Sequence, residues 1–191
     1  VCPKLLLNLY AHAVLLQPSE LSELPDGRLV GARVDRVVVN GYDQTAMVRF
    51  DERFWDPDRE SERTGRWSKG TSSIWWEVEA QNVVDEVTVH LASSLSSLAV
   101  CVGPPGALQP VELGANTTSV SFAVDSTVRV INSAGGALYS GWFGGDRGFL
   151  ESDVGQYDEP TEVFSWCGGA VLLRSEYLRE VGVFDPSYFL Y

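Results

Sequence analysis

The sequence predicts an α+β chain whose larger part is an antiparallel β-sandwich, and three observations carry that reading. Short β-branched and aromatic runs alternate with Gly, Pro and Asn turn signals over residues 10–125. No helical period of useful length competes with them, and residues 126–191 change character by holding 10 of the 18 glycines. The expected organisation is a strand-forming segment at 1–9, a β-sandwich of roughly seven to nine strands at 10–125, and a glycine-rich mixed segment at 126–191.

The elements follow in order. Arg33-Val34-Asp35-Arg36-Val37-Val38-Val39 is a β-branched run, and Asn40-Gly41 behind it is a strong hairpin signal, because both residues tolerate the positive φ of a type I′ turn. Thr45-Ala46-Met47-Val48-Arg49-Phe50 is the expected return strand. Further strands are expected at Ile74 to Val78, at Val83 to Leu91 with its alternating Val87, Val89 and Leu91, at Leu98 to Val102, and at Val120 to Val124. Successive side chains of a strand point to opposite faces, so one of Trp75 and Trp76 faces inward. The charged stretch Asp51 to Arg66 reads as a solvated excursion with Phe54 and Trp55 tucked beneath it. In the last segment, strands are expected at Thr127 to Ile131 and Val163 to Trp166. A two-turn helix should start from Ser175 as N-cap, with Glu176 in its first turn, Tyr177, Leu178 and Val181 as its apolar face, and Gly182 closing it.

Composition excludes several function classes. A formal charge of −12 repels nucleic-acid phosphates and anionic headgroups. The longest apolar runs, Ala13 to Leu16 and Ala170 to Leu173, fall far below the roughly 20 residues of a membrane-spanning helix. Cys2, Cys101 and Cys167 are odd in number and widely spaced, which points to buried thiols in a reducing compartment, and with only His12 and His90 no zinc site is expected. The opening Val1-Cys2-Pro3 and the close at Tyr191 read as the ends of an internal segment of a larger protein.

The ordered series Asn132-Ser133-Ala134-Gly135-Gly136, Asp146-Arg147-Gly148-Phe149, Asp153-Val154-Gly155-Gln156-Tyr157-Asp158, Trp166-Cys167-Gly168-Gly169-Ala170-Val171-Leu172-Leu173-Arg174, Val181-Gly182-Val183-Phe184-Asp185 and Tyr188-Phe189-Leu190-Tyr191 resembles the acceptor-side half of inverting family 2 glycosyltransferases of GT-A type. That group includes actinobacterial rhamnosyl- and galactofuranosyltransferases. Val1-Cys2-Pro3-Lys4-Leu5-Leu6-Leu7 resembles the strand that follows the family's acidic motif. The resemblance implies a β-sandwich inserted into a partial GT-A α/β glycosyltransferase domain, with Val1 to Leu7 and Thr127 to Ile131 side by side in one sheet apart from the sandwich. It further implies a nucleotide-sugar donor, a glycan or glycolipid acceptor of the cell envelope, and a divalent cation, Mg or Mn, whose ligands are not in this chain. The catalytic base is expected after Tyr191, so no catalytic residue lies within these residues, which alone are expected to be inactive. The expected place is the cytoplasm or, through the parent protein, the inner face of the plasma membrane.

Residue types then nominate a site. Inverting transfer needs an acceptor hydroxyl aimed at the anomeric carbon, and a flat aromatic ring beside glycines lets a sugar stack while backbone approaches closely. Trp166, Gly168 and Gly169 are therefore expected acceptor-binding residues, with burial of Trp166 under the sheet as the alternative. Asp146 and Arg147 are expected to pair, order the glycine-rich loop and reach acceptor hydroxyls. Asp146, Asp153 and Asp158 lack the intervals of a cation loop, and Gly135-Gly136 and Gly144-Gly145 lack a phosphate-loop pattern. Among Trp55, Trp67, Trp75 and Trp76, Trp67 in Arg66-Trp67-Ser68-Lys69-Gly70 is the expected carbohydrate contact of the sandwich. The runner-up function is a carbohydrate-binding β-sandwich module without catalysis.

Overall fold

One long strand, β1 (Leu5–Pro18), organises the computed structural model, which describes residues 4–57, 65–79, 83–166 and 171–182. A two-stranded ribbon of β2 (Ser22–Glu23) and β3 (Leu29–Val30) leads to β4 (Arg33–Val39), β5 (Tyr42–Asp43) and β6 (Arg49–Phe50). There follow β7 (Arg66–Trp67), β8 (Ser72–Val78), β9 (Asp85–Ala92), β10 (Leu98–Gly103), β11 (Gln109–Leu113) and β12 (Thr118–Val124). The last part contains β13 (Thr127–Ser133), the hairpin β14 (Gly136–Tyr139) and β15 (Phe143–Asp146), and the helix α1 (Ser175–Val181). All the strand pairings of the two main sheets are antiparallel, as the sequence predicts for a β-sandwich.

The first sheet runs β11-β10-β1-β8-β6 and the second β12-β9-β4-β5, with β7 also on β4. Between them lies a core in which Val14, Leu16, Ile74, Val100 and Val102 of the first sheet meet Val37, Val39, Val87, Val89, Leu91 and Val120 of the second. Full burial of each such side chain contributes about 1.5–3 kcal/mol. Val34 and Val37 are both buried although three apart, because the register shifts between Val34 and Arg36 and places Asp35 in a β-bulge. Without that extra residue Val34 would face solvent.

β1 divides one of its edges between two partners. Its first half pairs with β13, with Leu6 opposite Ile131 and Tyr10 opposite Arg129, and its last residues pair with β10. The other edge pairs with β8 from Tyr10 to Leu16. The opening segment and Thr127 to Ile131 thus share a sheet as expected, but they do not stand apart from the sandwich, since β1 continues without a break into it. The continuous apolar run of β1 is buried on both faces, the inner one in the main core and the outer one against a second cluster of Ala11, Ala13, Trp75 and Val130. Trp75 and Trp76 do point to opposite faces.

Three local expectations are corrected. The return strand Thr45 to Phe50 is broken: the Thr45 hydroxyl accepts from the Val37 N–H at 2.9 Å and replaces a ladder bond, so the chain leaves for the other sheet, where Arg49 and Phe50 pair with β8. The run Val163 to Trp166 forms only the isolated bridge of Ser165 with Gly136. Ser175 opens α1 but does not cap it, because its hydroxyl accepts instead from Arg179 at 3.2 Å; Gly182 closes the helix with φ 90° as expected. Among the described residues no helix is long and apolar enough to cross a membrane.

Candidate functional site

One of the nominated residues, Asp146, and the neighbour of another, Ser165, meet around one glycine. Gly136 is paired with Asp146 across the β14–β15 hairpin and bridged to Ser165 on its other side, with its N–H donating to the Ser165 carbonyl at 2.8 Å. This approach needs the twin glycines. A Cβ on Gly136 would lie 2.0 Å from Ser165 Oγ, and Gly135 has φ 96° with Val163 only 2.6 Å from where its Cβ would be. Gly135-Gly136 therefore serves close strand packing.

Asp146 accepts a hydrogen bond from Ser133 Oγ at 2.6 Å. Arg147 donates to the Ala134 carbonyl at 3.1 Å, and its guanidinium lies 5.0 Å from the centre of the Tyr157 ring. The expected Asp146–Arg147 pair is thus corrected: neighbours on an extended backbone point apart, and each finds its own partner. Trp166 is 38% exposed, stands edge-on to Tyr177 with ring centres 6.3 Å apart, and lines a cleft of about 350 Å³ with Thr161, Glu162, Val163 and Leu172. It does not fill the core. Gly168 and Gly169 lie outside the described residues, as do Cys2, Cys167 and Asp185. Trp67 is buried at 8% exposure with the Arg33 guanidinium 5.3 Å from its ring centre, so it presents no open face to a sugar.

The three aspartates weighed as cation ligands separate. Lys4 Nζ bonds to both Asp153, at 2.7 Å, and Asp158, whereas Asp146 is held by Ser133. Among the described residues no group of three His, Cys, Asp or Glu side chains can hold a metal ion.

A polar junction that residue patterns do not reveal joins the turn after β6 to residues 151–157. Asp51 is buried and accepts from the Ser73 N–H at 2.7 Å, from Ser73 Oγ at 2.9 Å and from Arg53 at 2.8 Å. Arg53 also reaches Glu151 at 3.1 Å, and Glu151 accepts from Tyr157 Oη and Gln156 Nε2, each at 3.0 Å. Ser152 Oγ donates to Ser73 Oγ at 2.9 Å, which ties the same two segments again. Burial pushes the Asp51 carboxyl up despite Arg53 and Ser73, and burial followed by the Glu151 charge pushes up both the Glu52 carboxyl and the Tyr157 hydroxyl. Tyr157 therefore stays a donor to Glu151. The stretch Asp51 to Arg53 is an anchor, which corrects its reading as part of a solvated excursion. Only Trp75 carried a usable signal for this contact: its outward ring needs a cover, and its Nε1 donates to the Leu150 carbonyl at 2.6 Å.

In comparisons with known proteins the chain matches no family model, no curated protein and no solved structure.

Proposed function

We propose that the chain is the acceptor-side part of an inverting glycosyltransferase that moves a sugar from a nucleotide-diphosphate donor to a cell-envelope glycan or glycolipid. The observation that carries the reading is the ordered motif series from Asn132 onward. Asp146 and Ser165 flank Gly136, and Trp166, the next residue after Ser165, lines a cleft, which supports it. In this reading Trp166 stacks on the acceptor sugar, and Asp146, held by Ser133, accepts from its hydroxyls. Arg147, fixed by Ala134 and Tyr157, keeps the loop in place. The polar junction of Arg53 and Glu151 makes the sandwich a rigid support for that loop.

Removal of the acceptor proton and stabilisation of the departing diphosphate are assigned to residues outside this chain. The proposed Mg or Mn ion would neutralise charge on the diphosphate. Its ligands are not among the described residues, so no step is derived through it. The proposed setting is the cytoplasmic face of the plasma membrane, where glycolipid acceptors are found.

The test is to incubate the whole protein carrying this chain with a panel of nucleotide sugars and envelope acceptors, and to read the anomeric configuration of the product by NMR. Transfer with inversion is expected. Transfer with retention, or no transfer from any donor, contradicts the reading.

A further inference from the structure

A groove of about 920 Å³ runs along the open edge of β8, beyond Trp75 where its pairing with β6 stops. Its volume lies near the upper end of the range for small-ligand sites, about 300–1,000 Å³. On its rim stand Tyr42 and Met47, 72% and 73% exposed, and Trp76 supplies an aromatic wall. Tyr42 is thrown outward by the Asn40-Gly41 turn, whose φ angles of 50° and 81° are those of the tight hairpin.

The polar lining is built. Asp85 Oδ2 lies 2.9 Å from His12 Nδ1 and accepts from Trp76 Nε1 at 2.8 Å, while Oδ1 accepts from Asn40 Nδ2 at 2.8 Å. Those three contacts hold the carboxylate still and leave acceptor capacity on Oδ1. Gln44, Arg49 and Glu77 line the same groove and make no side-chain hydrogen bond to other described residues.

Charge narrows the ligand class. Among the described residues that line the groove, Asp85, Glu77 and Glu79 stand with one guanidinium, Arg49, on a chain of formal charge −12, and this disfavours phosphates and sulfated or acidic sugars. A purely apolar ligand would strand the amides and carboxylates without partners. We propose that this groove binds a neutral oligosaccharide, with Tyr42 and Trp76 against sugar faces and Asn40, Gln44 and Asp85 bonded to hydroxyls. The inference stands apart from sugar transfer: binding here by a chain that transfers nothing still supports it.

The test applies the full chain to an array of neutral and acidic glycans and titrates captured glycans by tryptophan fluorescence. Neutral glycans should be captured, and Tyr42→Ala and Gln44→Ala should each weaken binding at least fivefold with thermal unfolding unchanged, Tyr42 being largely exposed. Trp142→Ala, on the β14–β15 hairpin away from the groove, should bind as wild type. Capture of acidic glycans only, displacement by spermidine as the preferred ligand, or no capture would overturn the proposal. So would binding that is lost in Trp166→Ala and intact in Tyr42→Ala, because that places the sugar in the other cleft.

Discussion

Arg53 and Glu151 form an ion pair of 3.1 Å between the turn after β6 and the segment that covers the outer face of β8. The Glu151 carboxylate is 1% exposed, and the same guanidinium also satisfies Asp51, so one cation stands between two buried acids.

Arg53→Met should therefore be costly beyond its lost contacts. It leaves Asp51 and Glu151 buried without a cation, a situation that costs about 3–5 kcal/mol. Urea unfolding at neutral pH measures it, with Arg53→Lys expected to lose less. A variant as stable as wild type would show that the junction does not hold the two segments together.

Glu52 should weaken the fold at neutral pH. Burial and the neighbouring Glu151 raise its carboxyl above the ordinary value, so its contribution to stability is present below the unfolded value, about 4.3, and is lost as pH rises through the folded one. Glu52→Gln should be more stable than wild type at pH 7, with the gap closing as pH falls toward 4. A gap independent of pH would contradict this.

Asp85 has the opposite sign. Burial raises its carboxyl, but hydrogen bonds from Trp76, Asn40 and His12 outweigh it and leave it below the ordinary range. Its stabilisation is present above the unfolded value, about 3.9, and disappears as pH falls through the folded one. Asp85→Asn should be less stable at pH 7, and unfolding curves should show the deficit shrinking below about pH 4. A deficit that grows on acidification would overturn the assignment.

Gly136→Ala should push Ser165 away from β14, since its new Cβ would meet Ser165 Oγ at 2.0 Å. Overpacking of this kind costs about 1–3 kcal/mol, read by thermal unfolding. Adding Ser165→Gly to Gly136→Ala should restore part of the loss. If the double variant is no better than the single one, Gly136 is constrained by something other than Ser165.

Local signals were legible where one segment carried them alone. The run Arg33 to Val39 matches β4, the alternation of Val87, Val89 and Leu91 matches the inner face of β9, and Asn40-Gly41 makes the turn before β5. The full length of β1 was not legible, because a strand buried on both faces shows no alternation. The hairpin β14–β15 hides in glycines that carry no hydrophobic pattern. At the candidate site, motif order nominates Asp146 and Trp166, but the pairing of Gly136 with Asp146 on one side and Ser165 on the other becomes visible only once the chain is folded. Asp51, Arg53, Glu151 and Tyr157 lie far apart in sequence, and a charged turn looks the same whether it is solvated or anchored. Trp67 misled for a similar reason: its sequence neighbours are polar, yet on β7 it pairs with Arg33 of β4 and is buried beside that guanidinium.

If this chain receives the acceptor, as proposed, the acceptor KM set against the donor KM for Trp166→Ala in the whole protein reads it most directly. Loss of one stacking ring should cost on the order of 1 kcal/mol, roughly a fivefold rise in acceptor KM, with the donor KM unchanged and the fold intact. An unchanged acceptor KM in a folded variant, or a rise confined to the donor, would contradict the account.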